Sequence, residues 1–192
     1  MTSPAVPVSS PTDVARALRT LYLVRAAFSI VWVILVLTLT FSVTVAGGLT
    51  PAAAILLVVY PAWDFVATLW DLRVSGRSGS RLPQLVNAGI DAVAVIAMVI
   101  ALFAGLQAAI VVFGAWALVS GAVQLTVALR RRSIGGQWPM LISGGLSVLA
   151  GLSFILMAGS PKAGIVTFAG YSAFGAVWYL VAVATLSRTR RR

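Results

Sequence analysis

Cysteine and histidine are both missing from the 192 residues, and the acidic side chains number only four, the aspartates Asp13, Asp64, Asp71 and Asp91. Without cysteine there is no disulfide and no thiolate nucleophile. Without histidine there is no imidazole base, and the two absences together remove nearly every transition-metal site. Most enzyme chemistry has no side chains to run on, so the chain is expected to be non-enzymatic, with no catalytic residue, cofactor or metal. Charge of any sign is scarce: charged residues make up 9% of the chain against 60% hydrophobic, and the mean hydropathy is +1.03. That composition belongs to an all-α integral membrane protein, far outside the soluble globular range.

A membrane span needs about 20 mostly apolar residues. The sequence offers six such runs: 18–45, 51–72, 83–103, 107–129, 139–158 and 163–186. The first is too long for the core of a cleavable signal and carries Arg25, so it reads as a retained helix. Thr50 before Pro51 is an N-cap followed by a first-turn proline, and Pro83 and Pro139 sit where a proline loses no helical hydrogen bond.

Arginines fix the orientation. Arg16 and Arg19 precede the first span, Arg73, Arg77 and Arg81 follow the second, Arg130 to Arg132 follow the fourth, and Arg188 and Arg190 to Arg192 end the chain. The alternate loops hold only Lys162. By the positive-inside rule both termini are cytoplasmic, and the net charge of +10 is explained by anionic lipid at the cytoplasmic face, with no nucleic acid. Thirteen arginines against one lysine, with abundant Ala and Val, point to a high-GC bacterium and hence to the bacterial cytoplasmic (inner) membrane. The Pro/Ser-rich start is expected to form a disordered cytosolic arm over 1–17, and the basic residues 188–192 a cytosolic tail.

A constant offset of 56 pairs Pro83 with Pro139, Gly89 with Gly145 and Gly114 with Gly170. This internal repeat divides the chain into three helical hairpins, 18–73, 83–132 and 138–187. In the last unit, Trp138, Gly144, Gly145, Gly151, Pro161 and Gly170 follow the pattern of a tryptophan, a Gly-rich helix, a Pro-containing turn and a second helix with spaced glycines. With six spans in three hairpins, the chain resembles the HdeD-like family of small bacterial inner-membrane proteins from about Arg25 onward. The resemblance implies a membrane protein with an accessory role linked to acid or envelope stress, with no chemistry common to the family.

In lipid, small residues and polar contacts must hold helices together. Ser143, Ser147 and Gly151 recur every fourth residue of the fifth span; Gly114, Ala117 and Gly121 share a face of the fourth, and Ala169, Ala173 and Ala176 a face of the sixth. These seams are expected to pack helices within the chain, or alternatively to join copies in a homo-oligomer or a larger membrane complex. Trp70 and Trp138 read as interfacial anchors.

Polar residues inside the spans cluster by depth. At 1.5 Å of rise per residue, Arg25, Asp64 and Asp91 all lie about 10–12 Å from the cytoplasmic helix ends, Gln124 about 8 Å, and Asn87 one turn below Asp91. Tyr60, Thr68 and Asp71 share the helical face of Asp64. A charge at this depth requires a partner, so Arg25 is expected to pair with Asp64 or Asp91. One arginine against two aspartates leaves one negative charge over, which predicts a carboxyl that holds or shares a proton. Two readings stand: an ion pair that locks helix register, or a small transporter or proton-coupled permease built on Arg25, Asp64 and Asp91. The outer half carries no matching charges, which argues against a continuous channel.

Overall fold

The computed structural model describes residues 11–44, 49–74, 81–134, 137–160 and 164–189. Its described residues form six long helices: α1 (Pro11–Thr44), α2 (Pro51–Val74), α3 (Leu82–Ala104), α4 (Leu106–Arg130), α5 (Trp138–Met157) and α6 (Ile165–Thr189), with a short 3-10 turn, Arg132–Ile134, after α4. All six are long and apolar enough to cross a membrane. The molecule is an all-helical polytopic membrane protein.

Helix starts follow from local chemistry. The Thr50 hydroxyl accepts the Ala53 backbone N–H at 3.1 Å, capping α2 as expected, and prolines stand in the first turns of α3 and α5. At the other end of the chain α1 begins earlier than expected, at Pro11, so 11–17 are helical, not an arm. Leu18 and Leu21 are fully buried and Val14 packs beside them, which gives this extra turn an apolar surface to sit on. The rest of the arm (1–10) lies outside the described residues, as do Arg77, Lys162 and the last three arginines of the tail.

Only Gly105 separates α3 from α4, and it adopts φ +102°, a conformation that a side chain strains and glycine does not. Each helix packs on its neighbours in sequence, and α6 returns to pack extensively on α1, closing a ring. Pro61 sits inside α2 without interrupting it. Beside it, the Trp32 indole N–H donates to the Leu56 carbonyl at 2.9 Å and ties α1 to α2.

The most intimate contact, α4 on α5, is made by glycine. A methyl group on Gly151 would stand 2.5 Å from the Gly114 carbonyl oxygen, and one on Gly121 only 2.7 Å from the Ser147 β-carbon. Backbones touch here because nothing projects between them, which is how helices gain van der Waals contact and Cα–H···O bonds in lipid. Gly114, Gly121 and Gly151 are thus the expected packing residues, with Gly144 as a fourth. Ser143 and Ser147 are buried on the same helix, Ser147 accepting the Tyr171 hydroxyl at 2.9 Å from α6. On α6, Ala169 and Ala176 are buried but Ala173 is exposed, so that expected stripe is not one seam.

Candidate functional site

Bulky apolar residues such as Ile96, Ile100, Phe103, Leu149 and Leu156 face outward, as a lipid-exposed surface requires. The interior divides in two. Away from the arginine-rich end, aromatic rings fill the ring of helices: Phe113 stacks on Phe168 at 4.2 Å between centroids, Trp116 meets Phe113 edge-on at 5.3 Å, and Trp32 meets Tyr60 edge-on at 4.7 Å.

Toward the arginine-rich end the interior is polar, and helical spacing explains why. Tyr60, Asp64, Thr68 and Asp71 recur at three or four residues along α2, Gln84, Asn87 and Asp91 along α3, and Trp116, Ser120 and Gln124 along α4, so each set presents one face inward. From α1, the Arg25 guanidinium pairs with the Asp64 carboxylate at 2.5 Å. It also donates to the Tyr179 hydroxyl of α6 at 3.1 Å and to Thr68 of α2 at 3.4 Å, so one side chain of α1 ties two other helices together.

Asp91 is fully buried and has no guanidinium against it. Its two oxygens are held by neutral donors instead: Trp116 Nε1 at 2.8 Å and the Ser120 hydroxyl at 3.5 Å on one, Asn87 Nδ2 at 2.9 Å and the Thr68 hydroxyl at 3.3 Å on the other. Asn87 Nδ2 also lies 3.4 Å from Asp64 Oδ2 and 3.0 Å from the Thr68 oxygen. The two carboxylates are therefore joined through Asn87 and Thr68, and Arg25 chooses Asp64.

Gln124 does not join this network. It stands in the wall of the same cavity, but its amide donates to the Met140 carbonyl of α5 at 3.3 Å. Trp116 and Ser120, about two turns and one turn earlier in α4, are the residues level with Asp91. A second ion pair lies nearer the helix ends: Arg131 NH2 meets both oxygens of Asp71, at 3.0 and 2.9 Å. In sequence Arg131 is one of three consecutive arginines, and nothing there marks it as the one that turns inward.

Among the described residues, a cavity of about 90 Å³ opens between the two ion pairs, walled by Arg25, Asp64, Asp71, Gln84, Asn87 and Arg131. A smaller one of about 50 Å³ adjoins it toward Tyr60, Ser147 and Tyr171. Between α5 and α6 an apolar groove of about 410 Å³ runs past Leu149, Phe154 and Phe174. Trp63 stacks on Phe28 at 4.7 Å, while Trp138 is half-exposed, as an interfacial anchor would be.

No curated protein and no solved structure matches the chain. Residues 86–156 match a family described as a short repeat of unknown function (DUF308). That segment runs from α3 to near the end of α5 and so holds Asn87, Asp91 and the whole glycine seam, while Arg25, Asp64 and Tyr179 lie outside it. Over residues 86–156 this polytopic membrane protein is thus similar to that short repeat, in keeping with the HdeD-like resemblance of its sequence.

Proposed function

We propose that the chain is a protein of the bacterial cytoplasmic membrane, arranged as three helical hairpins with both termini in the cytosol, and that its role is accessory to acid or envelope stress and not enzymatic. The family repeat and the distribution of arginines support the placement. The observation that favours an accessory role over transport is the aromatic packing around Phe113, Phe168 and Trp32, which among the described residues closes over the polar layer and the small cavity that adjoins it at Tyr60 and Tyr171. Arg25 and Asp64 then act as a register lock for α1, α2 and α6, and the exposed Arg130 and Arg132 rest on anionic lipid.

Because the sequence lacks cysteine, single cysteines placed at Ser3 and at Gly47 report topology without background. A membrane-impermeant maleimide is expected to label Gly47→Cys and spare Ser3→Cys in intact cells, and the reverse pattern would invert the proposed orientation. Proteoliposomes are expected to pass protons no faster than empty vesicles under an imposed gradient. A flux that vanishes in Arg25→Ala would replace the accessory reading with that of a permease.

A further inference from the structure

The ring of helices is not equally tight all round. α5 sits on α4 through its glycines and α6 packs along α1, while α5 and α6, consecutive in the chain, meet over much less of their length. The apolar groove of about 410 Å³ lies in that gap, and Leu149 and Phe174 on its walls are exposed to lipid. Its lining runs from Ser143 to Phe154 on α5 and from Thr167 to Trp178 on α6, about 16 Å of each helix.

The groove borders the polar interior. Ser143, Ser147, Tyr171 and Gly175 line both it and the cavity of about 50 Å³ inside the ring, so these four residues form the wall between lipid and that cavity. Across the wall the Tyr171 hydroxyl of α6 donates to Ser147 of α5 at 2.9 Å. Ser147 is about 13 Å along α5 from Trp138 and Tyr171 about 9 Å along α6 from Ile165, which places the hydroxyl pair deep in the bilayer, away from both surfaces. Beside the pair, Gly175 leaves a space: a β-carbon there would meet nothing within 4 Å.

Shape and polarity narrow the occupant. Spread over its length, the groove averages about 25 Å² in cross-section. An alkyl chain, whose carbons keep about 4 Å from their neighbours, lies in such a space, whereas a helix of a second copy, about 10 Å across, is too broad. At about 30 Å³ for each water-sized group the groove takes roughly 14 of them, an ordinary fatty-chain length. Hydrocarbon alone leaves the hydroxyl wall unmet. A phospholipid keeps its charged head at the membrane surface, and Arg25, the guanidinium lining the inner cavity, already holds Asp64, Thr68 and Tyr179. A head that rests at this depth is therefore small and uncharged, with an O–H to donate and an oxygen to accept.

We propose that the α5–α6 groove binds one single-chain neutral lipid of the long-chain alcohol class, its alkyl chain along Leu149, Phe154 and Phe174 and its hydroxyl at the Tyr171–Ser147 pair. The bilayer itself hosts either end of such a molecule, but this groove offers an apolar trough and a hydroxyl partner at one depth.

The test uses the full chain in phosphatidylcholine nanodiscs with a hexadecanol that carries a photoreactive diazirine in mid-chain. On illumination, label is expected on 143–154 and 167–178 in preference to the lipid-facing sides of α2 and α3. Unlabelled hexadecanol should displace it at about tenfold lower concentration than hexadecane. Gly175→Leu fills the open space beside the hydroxyl pair and should lower labelling about tenfold, while Gly170→Leu, on the same helix but outside the groove, should leave it unchanged. Tyr171→Phe keeps the ring and loses the hydroxyl, so it should cut the advantage of hexadecanol over hexadecane about threefold. Even labelling of all six helices, or equal displacement by hexadecane, would overturn the assignment by making the groove ordinary lipid contact. A groove that takes label only when the nanodiscs hold a single copy would overturn it too, in favour of a second copy as the occupant.

Discussion

The two halves of this helical ring are held by different forces. At the arginine-rich end Arg25, Asp64, Asn87, Thr68 and Asp91 form a connected set of charges and hydrogen bonds around small cavities. At the opposite end there is no such set among the described residues: aromatic rings interlock and the Gly114 and Gly151 backbones touch. Lipid explains the division. Apolar burial does not draw helices together in hydrocarbon, so a bundle must use either polar contacts or close fit. Polar contacts are worth more where few alternatives exist but leave voids, because their geometry is directional. Close fit leaves none and tolerates no added atom.

Breaking each half should therefore have a different signature. The largest effect is expected from Arg25→Ala, which strands Asp64 in the interior. Loss of one partner of a buried pair costs about 3–5 kcal/mol, read as a fall in folded protein on size exclusion and in resistance to denaturing detergent. Adding Asp64→Asn to that variant should restore much of the loss, since the stranded charge is the cause. A deficit in the double variant as large as in the single one would show that Arg25 acts through its aliphatic stem and not its charge.

In the other half, Gly151→Leu should cost about 1–3 kcal/mol by forcing α4 from α5. Gly170, which the repeat aligns with Gly114, has open space beside it, so Gly170→Leu should stay within about 0.5 kcal/mol. Equal losses at the two sites would erase the distinction between a fitted seam and an incidental glycine. Between these two, Asn87→Ala should cost about 1–2 kcal/mol, since it removes the bridge between the two carboxylates. Tyr171→Phe, which deletes one hydroxyl bond to Ser147, should cost about 0.6 kcal/mol in a guanidinium or detergent titration. If Tyr171→Phe proved the more damaging, the polar layer would not be the stronger tie.

The six helices could be read from the sequence because hydropathy and the Thr50, Pro83 and Pro139 signals are local. Counting residues from the helix ends brought Arg25 to the level of Asp64, since rise per residue is fixed. Which helix lies beside which is not local. The return of α6 to α1, and with it Tyr179 against Arg25, leaves no trace in a sequence whose lipid-facing and interior residues are alike apolar. Nothing in the sequence sets Trp116 apart from the apolar residues around it, and only packing brings its indole N–H to Asp91. Arg131 is hidden by the flanking arginines that orient the protein, and the depth of Gln124 puts it in the cavity wall but says nothing of its hydrogen bond, which goes to Met140. The start of α1 at Pro11 was missed for a similar reason, since its support comes from packing and not from propensity.

The single-residue turn at Gly105 has a consequence for how the protein is made. An aspartate in mid-membrane costs about 3 kcal/mol on insertion scales, so α3 emerging alone would carry Asp91 into the bilayer uncompensated. Two of the donors that hold its carboxylate, Trp116 and Ser120, are on α4. With one residue between them, α3 and α4 form a hairpin that holds Asp91 and these two donors in one continuous segment, so insertion as a pair would present the carboxylate to lipid with partners at hand.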